Sequence, residues 1–158
     1  MIKLEPLTGH HNKNEFDCGV AALNTWLKQT AMQHQTKGLS RTFVAAPDGV
    51  PTQIYGYYAL ASAFVVVEDL PLKIAKRYPR QIPVTRSGKL AISRDLQGQG
   101  LGKLLLADAI LKSNNAALTV GSAGIIVDAK DDAAASFYAR YGFEVCSTQP
   151  LKLFLAFW

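Results

Sequence analysis

The chain has few cysteines and histidines, and it has no long apolar run. Its 158 residues include two cysteines, Cys18 and Cys146, which are too few for a disulfide framework. Three histidines, two of them adjacent at His10 and His11, lack the spacing of metal ligands. No apolar run approaches the roughly 20 residues that span a bilayer, and residues 1–11 mix charge and polarity where a signal peptide is apolar. We therefore expect a cytoplasmic protein with reduced thiols, no metal and no membrane partner.

Acidic residues are scarce in one stretch. The formal net charge is +5, and residues 73–103 hold one acid, Asp95, against eight basic residues: Lys73, Lys76, Arg77, Arg80, Arg86, Lys89, Arg94 and Lys103. A basic stretch of this kind produces a positive potential that attracts a polyanion, and a surface that serves only solubility has the same composition. The stretch is therefore compatible with a polyanion as partner, and its composition alone does not distinguish such a partner from a solvated surface.

The pattern of apolar residues predicts one α/β domain. With 49% apolar and 18% charged residues, the chain is long enough for a single core and too short for two. Spacings of three and four residues predict one long helix over residues 18–37, ended by Gly38, and helices over residues 101–117 and from Asp131 or Asp132 to Tyr141. Strand-type runs lie at residues 2–7, 41–46, 53–67, 88–93, 124–129, 143–146 and 152–157.

The order of these elements predicts a mixed sheet. Residues 41–46 and 53–67 flank a turn signal and should form an antiparallel hairpin. The strand at 88–93 is joined to the strand at 124–129 through a helix, as parallel strands require. Residues 68–83 contain three prolines around a short helical piece and are expected to be a surface connection that holds its basic side chains outward.

The stretch QGQGLGK, residues 97–103, has the glycine content of a phosphate-binding turn. Glycines let backbone N–H groups converge on an anion, and the start of the following helix adds partial positive charge. The dinucleotide pattern G-x-G-x-x-G fails because Lys103 occupies its last glycine. The nucleoside-triphosphate pattern fails because Gln97 occupies its first glycine and Leu104 replaces the magnesium-binding hydroxyl. What remains is Gln-x-x-Gly-x-Gly, a turn that a pyrophosphate would fit.

This turn and six other segments resemble the GNAT superfamily of N-acetyltransferases, whose coenzyme A turn has the form Gln/Arg-x-x-Gly-x-Gly/Ala. The segments are FDCGVAALNTWL (16–27), RTFVA (41–45), GYYAL (56–60), KLAI (89–92), DAKDDAAASFYARYGF (128–143) and LKLFL (151–155). Together they are similar to the acetyltransferase toxins of bacterial toxin–antitoxin pairs over almost the whole chain. The resemblance implies a GNAT fold, which is a mostly antiparallel mixed sheet with a central parallel strand pair and flanking helices.

The resemblance also implies a site for acetyl-CoA as cosubstrate. Backbone groups of Leu90, Ala91 and Ile92 are expected to bind the pantetheine arm. The pyrophosphate turn is expected to comprise Gln97, Gly98, Gln99, Gly100, Leu101, Gly102 and Lys103. Tyr138 matches the family's catalytic tyrosine, whose hydroxyl donates a proton to the coenzyme A sulfur, and its neighbour Phe137 is expected to contact the cosubstrate. From the residues alone, Tyr138 is equally a core aromatic, and no carboxylate or histidine stands out as general base.

In the toxins the acceptor is the α-amino group on the amino acid of a charged tRNA, and a ribbon-helix-helix antitoxin neutralises the enzyme. The resemblance thus implies aminoacyl-tRNA, such an antitoxin and a second copy of the chain in a homodimer as partners. The expected RNA contacts are Lys28, Lys37, Arg77, Arg80, Arg86 and Lys89, although relatives commonly carry arginine where Lys89 stands and aspartate where Ser93 stands. Two alternatives stay open: an acetyltransferase of a protein or small amine, and a non-catalytic member that binds RNA or a partner.

Overall fold

The computed structural model describes residues 1–50 and 52–158. Seven strands form one sheet in the order β1-β2-β3-β4-β5-β7-β6. The strands are β1 (Ile2–Pro6), β2 (Arg41–Pro47), β3 (Gly56–Val66), β4 (Gln81–Ile92), β5 (Gly124–Asp128), β6 (Glu144–Cys146) and β7 (Gln149–Ala156). The helices are α1 (Ala21–Gln29), α2 (Ala31–Thr36), α3 (Leu72–Ala75), α4 (Leu101–Ala117) and α5 (Asp132–Arg140).

The pairing of the strands confirms the mixed, mostly antiparallel sheet. The pairs β1–β2, β2–β3, β5–β7 and β6–β7 are antiparallel, and β4 and β5 pair in parallel, with Thr85 opposite Ile125 and Ser87 opposite Val127. The predicted hairpin is the β2–β3 pair. The predicted crossover between parallel strands runs from β4 through α4 to β5, because a parallel connection must return to the same end of the sheet.

The chain divides into two compact units. The first comprises residues 1–61 and 89–109, and the second comprises residues 62–88 and 110–158. The core of the first unit includes Leu27, Val44, Tyr57, Tyr58 and Leu105, all fully buried. The core of the second unit is built around Leu70, Ile82, Ile126 and Phe154. The expectation of a single domain stays a prediction.

The prediction of one long helix over residues 18–37 is wrong, because the structure has two short helices separated at Thr30. The backbone of Thr30 has φ −119° and ψ −37°, outside the usual helical φ, and the residue ends α1 and precedes α2. Threonine is β-branched and has a low helix propensity, so an interruption costs less there than at a strong helix former. The residues before Ala21 form a turn in which Gly19 has φ +87°. Gly38, with φ +75°, ends the second helix as expected.

The prediction that residues 68–83 form a surface connection is wrong in two respects. Leu70, Ile74 and Ile82 are buried, and β4 begins at Gln81 rather than at residue 88. Alternating burial of Ile82 and Val84 shows that the strand follows period two despite Pro83 between them. The Pro83 carbonyl oxygen still accepts a hydrogen bond from the N–H of Ala123. The proline therefore costs the strand the hydrogen bond that a backbone N–H would donate, and not the one that its carbonyl accepts.

The two later helices follow the sequence pattern closely. Helix α4 has the predicted bounds, although a 3₁₀ turn over residues 94–96 separates β4 from the glycine turn. Helix α5 is capped by Asp131, whose Oδ1 accepts a hydrogen bond from the N–H of Ala134 at 2.8 Å, and Gly142 with φ +95° follows its end. No helix within residues 1–50 and 52–158 is long and apolar enough to cross a membrane.

Candidate active site

The glycine turn before α4 has the backbone that an anion needs. Gly98 and Gly100 have φ of +80° and +85°, and nothing in the described chain lies within 4 Å of a Cβ built on either. The first helical hydrogen bond of α4 runs from the N–H of Leu104 to the oxygen of Gly100 at 3.2 Å, so the preceding N–H groups have no partner within the helix. Lys103, which comes directly after Gly102 in the first turn of α4, has an exposed side chain. The turn therefore offers an open backbone and N–H groups without a helical partner, which a bound anion would need.

The side chain of Gln97 is directed at protein rather than at this opening. Its Nε2 donates hydrogen bonds to the carbonyl oxygens of Cys18 (2.8 Å) and Ile92 (2.9 Å). The neighbouring Gln99 donates to the Asp95 carbonyl oxygen at 3.4 Å. The first glutamine of the motif therefore links the turn to a segment 79 residues earlier in the chain, a contact that no local pattern predicts.

The last three residues of β4, which are the expected pantetheine segment, belong to the first unit. Leu90 and Ile92 are half-buried against the core that contains Tyr58 and Leu105, while Ala91 is buried in the cluster around Leu27 and Tyr57. Gly56 of β3 lies close to this segment, since a Cβ there would be 2.9 Å from the Ala91 carbonyl oxygen. The segment is thus packed on both faces.

Tyr138 lies on α5 in the second unit with 6% of its surface exposed. Its ring contacts those of Phe137 and Phe143, with centroids 5.4 Å and 5.5 Å apart. Burial, with a smaller contribution from the charge of Asp128, raises the pKa of Tyr138 to about 12. The phenol therefore keeps its proton throughout the physiological pH range.

Asp128, at the end of β5, was not singled out from the sequence. Its Oδ2 accepts a hydrogen bond from Arg86 Nη1 at 2.9 Å, and its Oδ1 lies 3.9 Å from Lys152 Nζ. The motif DAKDDAAASFYARYGF begins with this residue, so its position was a signal, but the pairing of β4 with β5 was needed to bring Arg86 next to it. Asp128 holds one of the expected RNA-binding residues in an ion pair.

The other expected RNA-binding residues differ in how far their side chains are exposed. Lys89 is half-buried, with Nζ 5.6 Å from the centroid of the Trp26 ring, and this ring stacks on Tyr57. The other four, Lys28, Lys37, Arg77 and Arg80, have exposed side chains. Lys28, Lys37 and Lys89 lie in the first unit, and Arg77, Arg80 and Arg86 lie in the second.

A known domain family matches more than half of the chain. The acetyltransferase (GNAT) domain family matches residues 38–145, which include the glycine turn and Tyr138. The chain belongs to the GNAT acetyltransferase family. This acetyltransferase is 39% identical over 140 residues to the tRNA-acetylating toxin of Mycobacterium tuberculosis, covering 89% of this chain and 82% of the relative.

Solved structures of GNAT toxins match this acetyltransferase over nearly its full length. AtaT complexed with acetyl-methionyl-tRNAfMet superposes with a TM-score of 0.91 at 31% identity, covering 99% of this chain and 95% of that one. A mutant AtaT toxin bound to the C-terminus of the antitoxin AtaR and acetyl-CoA superposes with a TM-score of 0.82 at 30% identity, covering 98% and 92% of the two chains. The likeness therefore extends beyond the matched domain to both ends of the chain.

Proposed function

We propose that this acetyltransferase is a toxin that transfers the acetyl group of acetyl-CoA to the α-amino group of the amino acid on charged tRNA and so inhibits translation. The observation that carries the proposal is the likeness to AtaT complexed with acetyl-methionyl-tRNAfMet, which covers 99% of this chain. The curated relative named as a tRNA-acetylating toxin supports it independently.

Acetyl-CoA is the cosubstrate, and its acetyl group is supplied as a reactive thioester. Residues 98–103 would hold the pyrophosphate, because Gly98 and Gly100 leave the turn open and the first N–H groups of α4 have no helical partner. Lys103 adds a positive charge next to those groups. Backbone groups of Leu90, Ala91 and Ile92 would hold the pantetheine arm.

Tyr138 would act as the proton donor to the departing sulfur. The new bond forms between the amine nitrogen and the acetyl carbon, the carbon–sulfur bond breaks, and the electron pair of that bond goes to the sulfur. The nitrogen releases one proton to solvent, and solvent restores the proton that Tyr138 gives to the sulfur. The raised pKa of Tyr138 keeps Oη protonated and ready to donate to the negative charge that develops there. The ester of an aminoacyl group lowers the pKa of its amine, so a neutral fraction exists near pH 7 without a side-chain base.

The acceptor tRNA would be attracted by exposed basic side chains. Phosphates are expected near Lys28, Lys37, Arg77 and Arg80, whose charges make binding sensitive to salt. Arg86 and Lys89 would contribute less, because one is paired with Asp128 and the other lies over Trp26.

The same exposed charges suit an acidic partner. We expect neutralisation by a ribbon-helix-helix antitoxin whose acidic segment covers these charges, as an antitoxin segment binds the AtaT relative. We also expect a homodimer and action in the cytoplasm, where aminoacyl-tRNA is found.

The test is acetyl transfer from labelled acetyl-CoA to a pool of charged tRNA, with uncharged tRNA and an unrelated protein as alternative acceptors. Label is expected on the amino acid of charged tRNA only. Label on uncharged tRNA or on protein alone would show that the acceptor is wrong, and no label would favour a non-catalytic binding protein.

Tyr138→Phe tests the proton donor, because it retains the ring contacts and removes the hydroxyl. A positioned acid contributes roughly 10²–10⁴-fold to a rate, so kcat should fall by at least about 100-fold. Tyr141→Phe, which removes a hydroxyl from the next tyrosine along the chain, whose ring also contacts Phe137, serves as the matched control. Undiminished transfer by Tyr138→Phe would rule out this role for the hydroxyl.

A further inference from the structure

Gln97 opens the coenzyme A motif, yet its side chain has no hydrogen left to give a phosphate. A carboxamide has two N–H donors. Both are directed at carbonyl oxygens of the protein, that of Cys18 at 2.8 Å and that of Ile92 at 2.9 Å. The atom that remains, Oε1, is an acceptor like the oxygens of a phosphate and would repel it.

The two carbonyls that Gln97 joins belong to different parts of the first unit. Ile92 is the last residue of β4 and of the expected pantetheine segment. Cys18 lies in the loop of residues 17–19, just before α1. One side chain therefore ties the end of β4 to the entry of α1.

A second link joins the same two segments. The N–H of Arg94 donates to the carbonyl oxygen of Asp17 at 2.9 Å, and Arg94 Nη1 lies 3.5 Å from Asp17 Oδ2. Gly19, with φ +87°, lies under the Arg94 side chain, since a Cβ there would be 3.5 Å from Arg94 Cγ. The loop is thus fixed at both Asp17 and Cys18.

The loop in turn fixes the start of α1. Asp17 Oδ1 accepts hydrogen bonds from the N–H of Gly19 and from Asn24 Nδ2, each at 2.9 Å. Asn24 Oδ1 accepts from the N–H of Cys18 at 2.9 Å. A movement of the loop away from β4 would therefore move the first turn of α1, the helix that carries Trp26 and Lys28.

We propose that Gln97 is a positioning residue, which locks the loop of residues 17–19 and the start of α1 to the end of β4, and that it is not a ligand of the pyrophosphate. The expected effect of Gln97 on acetyl transfer rests on the proposed function, while the lock between the loop and β4 does not.

Gln97→Met tests the lock, because methionine has nearly the same shape and no N–H donor. In the protein without cosubstrate, amide hydrogen exchange at Cys18 and Gly19 should become at least about tenfold faster, since their acceptors are held through the lock. The control is Gln33→Met, at an exposed glutamine of α2, which should leave those rates unchanged. Unchanged exchange in Gln97→Met would overturn the proposal.

A kinetic comparison separates positioning from phosphate binding. S-acetylpantetheine has the thioester and the pantetheine arm but no pyrophosphate. For Gln97→Met, kcat/KM should fall about tenfold with acetyl-CoA and by the same factor with S-acetylpantetheine. A loss with acetyl-CoA alone would show that Gln97 acts on the phosphates and would overturn the proposal.

Gln97→Arg is the conservative rescue, because the guanidinium has several N–H donors and can replace both donors of the carboxamide. It should restore most of the exchange protection and most of the activity with S-acetylpantetheine. If the wild-type protein transfers no acetyl group to aminoacyl-tRNA, the proposed function fails, whereas the exchange experiment still decides on the lock.

Discussion

The glycine turn allows two neighbouring substitutions with opposite expected effects. Gly100 has φ +85°, in the left-handed region where an alanine costs about 1–2 kcal/mol. Nothing in the described chain lies within 4 Å of a Cβ at this position, so the backbone conformation alone sets the cost. For a chain of this length, about 1 kcal/mol corresponds to a change in Tm of roughly 2–4 °C. Gly100→Ala is therefore expected to lower Tm by roughly 2–8 °C.

Gly102 differs because it lies within α4 and is absent from the glycines with positive φ. Alanine is favoured over glycine in a helix by roughly 0.5–1 kcal/mol, since glycine loses more backbone freedom on folding. Gly102→Ala should therefore raise Tm by roughly 1–4 °C. The motif of the superfamily accepts alanine at this position, so acetyl-CoA should still bind.

Thermal denaturation followed by circular dichroism measures both shifts, and calorimetry measures the acetyl-CoA affinity of the same samples. Gly100→Ala should weaken acetyl-CoA binding, because relief of the strain at residue 100 would turn backbone N–H groups of the glycine turn away from the anion. Gly102→Ala should bind acetyl-CoA within about threefold of the wild type. The reasoning is refuted if Gly100→Ala is as stable as wild type, or if both substitutions shift Tm in the same direction.

Three further predictions concern packing, pH and salt. At Gly124 an added Cβ would overlap the Leu155 carbonyl oxygen, and at Gly56 it would lie 2.9 Å from the Ala91 carbonyl oxygen. Overpacking costs about 1–3 kcal/mol, so denaturant midpoints should fall for both alanine variants and further for Gly124→Ala. The pKa of Tyr138 is raised to about 12, so the folded state binds this proton more tightly than the unfolded chain. The stabilisation is complete below about pH 10 and is lost toward pH 12, by on the order of 3 kcal/mol. Burial also raises the pKa values of Tyr57 and Tyr58, so the fall in urea midpoint from pH 9 to pH 11 should be smaller in Tyr138→Phe than in the wild type, and equal falls would contradict the prediction. Lys37→Ala should lower the slope of log affinity for aminoacyl-tRNA against log salt by about 1, and an unchanged slope would remove Lys37 from the interface.

Local patterns predicted those parts of the fold that depend on local chemistry. Helix α4 follows from its leucine spacing, and α5 follows from a capping aspartate and a terminal glycine. The sequence does not predict the break at Thr30 because the apolar spacing continues through it, while the φ of −119° at this residue departs from the usual helical value. The sequence predicts too late a start for β4 because Pro83 is typical of a loop, and Ala123, whose N–H donates to its carbonyl oxygen, is distant in sequence.

In the site, too, the sequence pattern predicts local backbone geometry but not the contacts of side chains with distant segments. Glycine spacing predicted an open turn, since positive φ and the absence of a Cβ are local properties. The pattern could not show whether the glutamine beside the glycines binds a phosphate or the protein, because its partner Cys18 is 79 residues away. A motif fixes which residue type is present, and the fold decides which atoms of that residue remain free.

The basic stretch of residues 73–103 illustrates the difference between charge in sequence and charge available to a ligand. Three of its cations face an acid in the folded chain: Lys73 with Glu144 at 3.3 Å, Arg86 with Asp128 at 2.9 Å, and Arg94 with Asp17 at 3.5 Å. An exposed ion pair adds little stability. The acid nevertheless offsets much of the field that the cation would exert on a ligand within the Debye length of about 8 Å, beyond which salt screens the field. The ratio of eight bases to one acid therefore overstates the attraction for a polyanion. The salt dependence of tRNA binding should depend instead on exposed side chains such as Arg80, together with Lys28 and Lys37 outside the stretch.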